Sequence, residues 1–367
     1  MVMQSARVSR RRWVGILLAL WAALGSLPWA AGAQAAARPG ASAQRAAFAS
    51  PSPAGWTNVT GNLGGATWGY AGVTLLASVP ESPAVIAGVS ERGLWINMGG
   101  ATSWRKLGAL DREPITNRPH RILFDPGDRE TFWVSGCYGP GIFKTIDSGR
   151  SFDRLGRLEH VDGIAVDFSD SRRQTMLVGL HEQVRSLHLS RDGGRTWRKI
   201  GDRLPANSNF TSDPVILNTR TFLINTAGWK QGATWGIYRS EDGGDTWTQV
   251  SKAGATGTPL VASNGAIYWQ ALWSAGLTRS TDRGTTWTAP GGPVKTNPIE
   301  LPDRRLAGLA GVQILLSSDG AATWTRFGPP IPFDPSGIVF SARGKCFYAW
   351  RMSNEKDPKA VARLDVQ

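Results

Sequence analysis

The chain has 367 residues, with 41 Lys and Arg against 28 Asp and Glu and a formal charge of +13. The basic residues are scattered, and no dense run or nucleic-acid motif gathers them, which argues against a nucleic-acid partner. Two Cys and four His exclude a structural zinc site of the Cys-x-x-Cys kind.

Arg7, Arg10, Arg11 and Arg12 precede the apolar run 13–21, and Ala31-Gly32-Ala33 closes the segment with an A-x-A pattern. A run this short, with no charge after it, predicts a cleaved signal peptide over 1–33 and an exported protein, periplasmic or extracellular. Ser9-Arg10-Arg11-Arg12-Trp13 fits a twin-arginine signal as well as an ordinary basic leader. Residues 34–54 are rich in Ala, Ser, Pro and Gly and predict a flexible linker. The leader carries four Arg and no acid, so 37 basic against 28 acidic residues leave +9. That charge suits an acidic polysaccharide or simply a soluble surface. No second stretch could span a bilayer, and no motif calls for a cofactor.

Residues 55–367 form the expected globular unit, and it repeats. Thr145-Ile-Asp147-Ser-Gly149-Arg-Ser151-Phe152 sets a pattern of Ser/Thr-x-Asp-x-Gly-x-Ser/Thr-aromatic. It recurs around Asp192, Asp242 and Asp282, and around Asp319 with Ala321 in place of the Gly. The closing aromatics lie 45, 50, 40 and 37 residues apart, a period that suits one four-stranded propeller blade. Physically the motif is a hairpin lock: Gly takes φ > 0, and the Asp carboxylate holds nearby N–H groups. The carboxylate run of a calcium loop is missing.

With each Asp turn placed between third and fourth strands, first strands fall near 121–124, 163–166, 215–217, 260–262 and 299–301. Second strands fall near 131–135, 175–178, 221–224, 266–269 and 305–308. A further blade upstream, over 74–107, has Gly99 where Asp belongs. Downstream, 337–340, 345–350 and 360–364 supply only three strands. The segment 55–60 reads as the missing fourth, tying the two ends together. The expectation is a single all-β, seven-bladed propeller, with six blades as the alternative. Cys137 and Cys346 fall on blades that are not neighbours and are expected to stay unpaired.

These motifs resemble the Asp-box, or bacterial neuraminidase repeat, propellers, a group that includes sialidases, xyloglucan-cleaving endoglucanases, the luminal domain of sortilin and a photosystem assembly factor. The resemblance spans Trp56 to Val366. It implies that the Asp turns lie on the periphery, away from the functional face. A sialidase would need an arginine triad, a Tyr–Glu pair and an Arg-Ile-Pro element. Asn117-Arg118-Pro119 is only a distant echo of that element. The xyloglucan-cleaving members carry their two catalytic Asp on separate propellers, whereas this chain has room for one.

Function is therefore sought at the mouth of the central channel, in loops entering first strands or joining second to third strands. They carry Glu91 and Arg92; Arg118, His120 and Tyr138; Asp162, His181 and Glu182; Asp213, Trp229 and Lys230; then Trp273 and Arg351. The first reading is a monomeric binding or assembly module for a glycan or extended peptide. Trp229 and Trp273 would stack on the ligand, while Arg92, Arg118, His120, Tyr138, His181 and Arg351 would orient it. The alternative is a glycoside hydrolase, whose two carboxylates stand about 5–10 Å apart. Asp162 and Asp213 are the candidates, with Glu91 a third. His120, His160, His181 and Asp162 could suit zinc, but no helical spacing fixes them, and no metal is expected.

Overall fold

A computed structural model describes residues 55–65, 70–110, 113–228, 231–272, 276–353 and 359–366. The proposed leader, the linker over 34–54, Trp229, Lys230 and Trp273 lie outside the described residues. The remainder folds into seven antiparallel sheets in chain order, a seven-bladed β-propeller. The inner strands are Val73–Ser78, Arg118–Asp125, Val161–Val166, Pro214–Ile216, Ala255–Val261, Ile299–Glu300 and Gly337–Ser341. Blade five has three strands, and an isolated bridge from Arg279 to Thr288 stands where its fourth would run.

The ring closes as the sequence implied. Thr57–Asn58 pairs antiparallel with Val361–Asp365, matching Thr57 to Arg363 and Asn58 to Ala362. The first strand of the described chain thus completes the last blade and removes an open sheet edge.

Alternation of side chains builds the core. In the inner strand of blade two, Ile122 and Phe124 join an apolar cluster with Leu75, Ile86 and Leu94 of blade one. Leu123, between them, packs with Trp133, Ile164 and Val178 towards blade three. Strand period two therefore feeds both neighbouring blades. The same arrangement recurs around the ring, ending with Val73 and Val85 of blade one packed against Tyr348, Trp350 and Val361 of blade seven. Each large side chain buried in these clusters stabilises the fold by roughly 1.5–3 kcal/mol.

The five aspartate turns share one geometry. Asp192 Oδ1 accepts from Ser190 Oγ at 2.8 Å and from the Thr196 N–H at 2.9 Å, while Oδ2 accepts from Thr196 Oγ1 at 2.6 Å. The Gly194 N–H, at φ +88°, donates to Ser190 Oγ. Asp147, Asp242, Asp282 and Asp319 repeat the pattern. Blade one, without the Asp, substitutes a different lock. Asn97 accepts the Gly99 N–H at 2.9 Å and donates to the Ala101 carbonyl at 2.6 Å.

Candidate functional site

Blades two, three and four bring their polar residues together at one end of the channel. Asp162 is the second residue of the inner strand of blade three and is 1% exposed. Two features fix its position. Ser135 Oγ, on blade two, donates to the Asp162 carbonyl at 2.6 Å. Gly163 lets the blade-four entry loop lie close, since a Cβ there would stand 2.4 Å from the Ser212 carbonyl and 3.0 Å from Asp213 Cα. The loop that delivers Asp213 is therefore seated directly on the strand that carries Asp162.

The Asp162 carboxylate faces two imidazoles. His181 Nδ1 lies 2.9 and 3.1 Å from its two oxygens, and His120 Nδ1 lies 3.6 Å from Oδ1. His181 Nε2 reaches Tyr138 Oη at 3.0 Å and Glu182 Oε1 at 3.2 Å. Tyr138 is 46% exposed and carries this buried chain to the surface. The Arg118 guanidinium lies 5.2 Å from the centre of the Tyr138 ring and 5.5 Å from that of Tyr70. Glu91, Tyr138 and Glu182 each follow a second strand, and all three take positive φ, at +61°, +57° and +53°. Non-glycine residues held in that region store about 1–3 kcal/mol of strain, which collects at functional loops.

Burial and charge separate the two carboxyls. For Asp162, burial favours the neutral acid, but the charge and hydrogen bond of His181 and the charge of Arg118 oppose it, and the pKa is lowered. For Asp213, burial is joined by repulsion from Asp162, and the pKa rises to about 7 despite Arg121. Burial pushes His120 down to about 4. It also opposes the charge on His181, yet the Asp162 and Glu182 carboxylates prevail and raise that group to about 9. Near neutral pH the cluster thus holds an ionised Asp162, a charged His181, a neutral His120 and an Asp213 poised between its two states.

The structure places the sequence-derived residues unevenly. Arg118, His120, Tyr138, Asp162, His181 and Asp213 share this site. Glu91 and Arg92 are exposed on blade one, where the Glu91 N–H donates to the Asn117 carbonyl at 3.0 Å. Arg351 lies over Phe333, 5.5 Å from the ring centre. His160 turns its ring to Tyr138, Nδ1 accepting the Tyr138 N–H at 3.1 Å, and its carbonyl accepts the His181 N–H at 2.6 Å. His120, Cys137 and Asp162 have donor atoms within 4.8 Å of one another. Burial pushes the Cys137 thiol up to about 12, and the positive charge of Arg118 opposes that rise, which sets a cation beside the cluster. Both cysteines are free and buried.

Sequence reasoning missed three residues: Cys137, Arg121 and Tyr70. Arg121 is 1% exposed in the inner strand of blade two, and its signal was an arginine opening the otherwise apolar run Ile122-Leu123-Phe124.

No family model matches the chain. It is 22% identical over 298 residues to a xyloglucanase of Paenibacillus sp, an alignment covering 65% of this chain and 28% of that protein. The chain therefore spans little more than a quarter of the curated relative it matches. Among solved structures, the GH74 xyloglucanase from Xanthomonas campestris superposes with a TM-score of 0.54 at 17% identity, covering 83% of this chain and 55% of that one. YCF48 from Cyanidioschyzon merolae gives 0.51 at 11% identity, over 85% and 98% of the two chains. The RRP9 WD40 repeats give 0.59 at 10%, over 87% and 100%. At these identities the structures share the propeller fold, and the curated match ties this chain to a carbohydrate-active relative. No described helix is long and apolar enough to cross a membrane.

Proposed function

We propose that the chain is an exported propeller of glycoside hydrolase type, acting at the mouth of blades two to four on a glucan chain of the xyloglucan class. Asp213 is the proton donor. Asp162 is the ionised partner that stabilises positive charge developing on the sugar. One observation carries this reading: two buried carboxyls enter adjacent inner strands, and their environments drive their protonation in opposite directions. Divergent pKa values in a carboxyl pair are how one site supplies both an acid and an anion. The curated xyloglucanase relative supports the substrate class. Placing both groups on a single propeller is this chain's own arrangement.

A second reading, a glycan-binding module without turnover, is favoured by the depth of the pair. Asp162 and Asp213 are each 1% exposed, and solvent reaches the cluster at Tyr138 and, less, at Glu182. Incubating the secreted chain with xyloglucan and with unbranched β-glucan, while following new reducing ends across pH, separates the two. Hydrolysis that declines as Asp213 ionises above about pH 7, and that Asp213→Asn abolishes, supports the enzyme. Saturable binding with no new reducing ends supports the module. Sequencing the N-terminus of the secreted chain tests removal of residues 1–33.

A further inference from the structure

The mouth of blades two to four is buried almost throughout: Asp162, Asp213, His120 and His181 are all closed off from solvent. Tyr138 is the exception. It is one of two exposed aromatics among the described residues, Trp235 being the other, and the one that is hydrogen-bonded into the buried cluster. A ligand arriving at this mouth therefore meets Tyr138 before it meets either carboxyl.

An exposed tyrosine ordinarily keeps its rotamer freedom, but this one is held from three blades. Its Oη lies 3.0 Å from His181 Nε2, and His181 Nδ1 is bonded across both Asp162 oxygens at 2.9 and 3.1 Å. Its N–H donates to His160 Nδ1, and its backbone is fixed at φ +57°. Tyr70, at the entry to blade one, meets the ring edge-on, with centroids 6.1 Å apart and planes at 86°. The buried Arg118 guanidinium stands over the ring, 5.2 Å from its centre. Core aromatics are ordered because they fill space, whereas Tyr138 is ordered with nearly half its surface in water. Freedom removed before a ligand arrives is not lost on binding.

We infer that Tyr138 is the ligand-contacting residue of the mouth, its exposed ring packing on the C–H face of a pyranose unit, and that His181 is a positioning residue acting through the phenol oxygen. The hydroxyl is already engaged by His181, so the ring supplies contact area while the hydroxyl fixes where that area lies. Asp162, bonded to the far nitrogen, holds the imidazole in turn. A flat ring that cannot move suits a flat, stiff ligand unit such as a sugar ring. This assignment rests on the glycan reading of the mouth and adds to it the group that makes the contact and the group that sets it.

Calorimetric titration of the secreted chain and its variants with xyloglucan oligosaccharides tests this. Tyr138→Ala should weaken binding about tenfold, and Tyr138→Phe, which keeps the ring and loses its anchor, about threefold, with circular dichroism unchanged. His181→Ala should weaken binding about threefold in the wild-type chain and leave it unchanged in Tyr138→Phe, where the bond through which it acts is already gone. An equal loss in both chains would make His181 merely structural and overturn its positioning role. Tyr138→Ala that binds as tightly as wild type would overturn the contact and leave the glycan reading standing, and this comparison decides even if His181→Ala does not fold. A wild-type chain that binds neither xyloglucan nor unbranched β-glucan oligosaccharides would overturn the glycan reading and this assignment with it.

Discussion

The aspartate turns and the mouth of blades two to four use the same side chain in opposite ways. Asp192 touches residues within four positions of itself and is held well down, to about 2, by Thr196 and Ser190. Asp162 is bonded to His181, 19 residues away, and is repelled by Asp213 from another blade. The first arrangement is local, can be copied once per blade, and stabilises a hairpin. The second needs three blades in register, occurs at one place, and creates groups whose charge states oppose each other. Repetition therefore marks the scaffold, and the departure from it marks the candidate site.

Breaking the mouth should cost most. Asp162→Ala leaves a charged His181 buried without its main partner, a loss of about 3–5 kcal/mol in urea unfolding. A loss below about 1 kcal/mol would show that the network does not organise the mouth.

The second effect depends on pH. The folded pKa of Asp213 lies above its unfolded value, so its contribution to stability is complete below about pH 4 and is lost as pH rises through about 7. Replacing it with Asn should remove a decline on the order of 3 kcal/mol between those limits. His181, raised to about 9, adds a further decline: its contribution is full below about 6.5 and lost as pH passes through about 9. The aspartate turns behave in the reverse sense. Asp192 is depressed, so its contribution is present above about pH 4 and disappears only in strong acid.

Smaller effects are expected at the periphery. Asp192→Ala should cost about 1 kcal/mol, raise amide exchange around residues 190–197 and leave the mouth unchanged. Ala321 occupies the left-handed position at φ +74°, where the other four turns have Gly. Ala321→Gly should therefore raise stability by about 1 kcal/mol in the same unfolding assay. An equal penalty for Asp192→Ala and Asp162→Ala would erase the distinction between the two regions.

That distinction also explains what the sequence could reveal. The seven blades, and the closure of the last by Thr57–Asn58, follow from turns whose determinants lie within eight residues and from strands of period two. Asp162, Asp213, His120 and His181 were legible as residents of one mouth because blade register alone carries their loops there. Their pairing was not legible. The separation of the two carboxyls depends on Gly163 seating Asp213 against its neighbour and on Ser135 fixing the Asp162 backbone, contacts that cross blades. Arg121 was absorbed into a strand because an arginine opening an apolar run fits a solvated strand end as well as a buried guanidinium. Glu91 was grouped with the carboxyls by loop position, yet it lies exposed on blade one.

The most direct measurement follows Asp213 itself. A spectroscopic titration of carboxyl protonation in the wild-type chain, with Asp213→Asn to assign the signal, reads the split on which the site depends. One buried carboxyl titrating near pH 7, while Asp162 stays ionised to well below the usual carboxylate range, is the expected result. Two carboxyls titrating together near pH 4 would contradict it, and with it the assignment of the mouth as the site of chemistry.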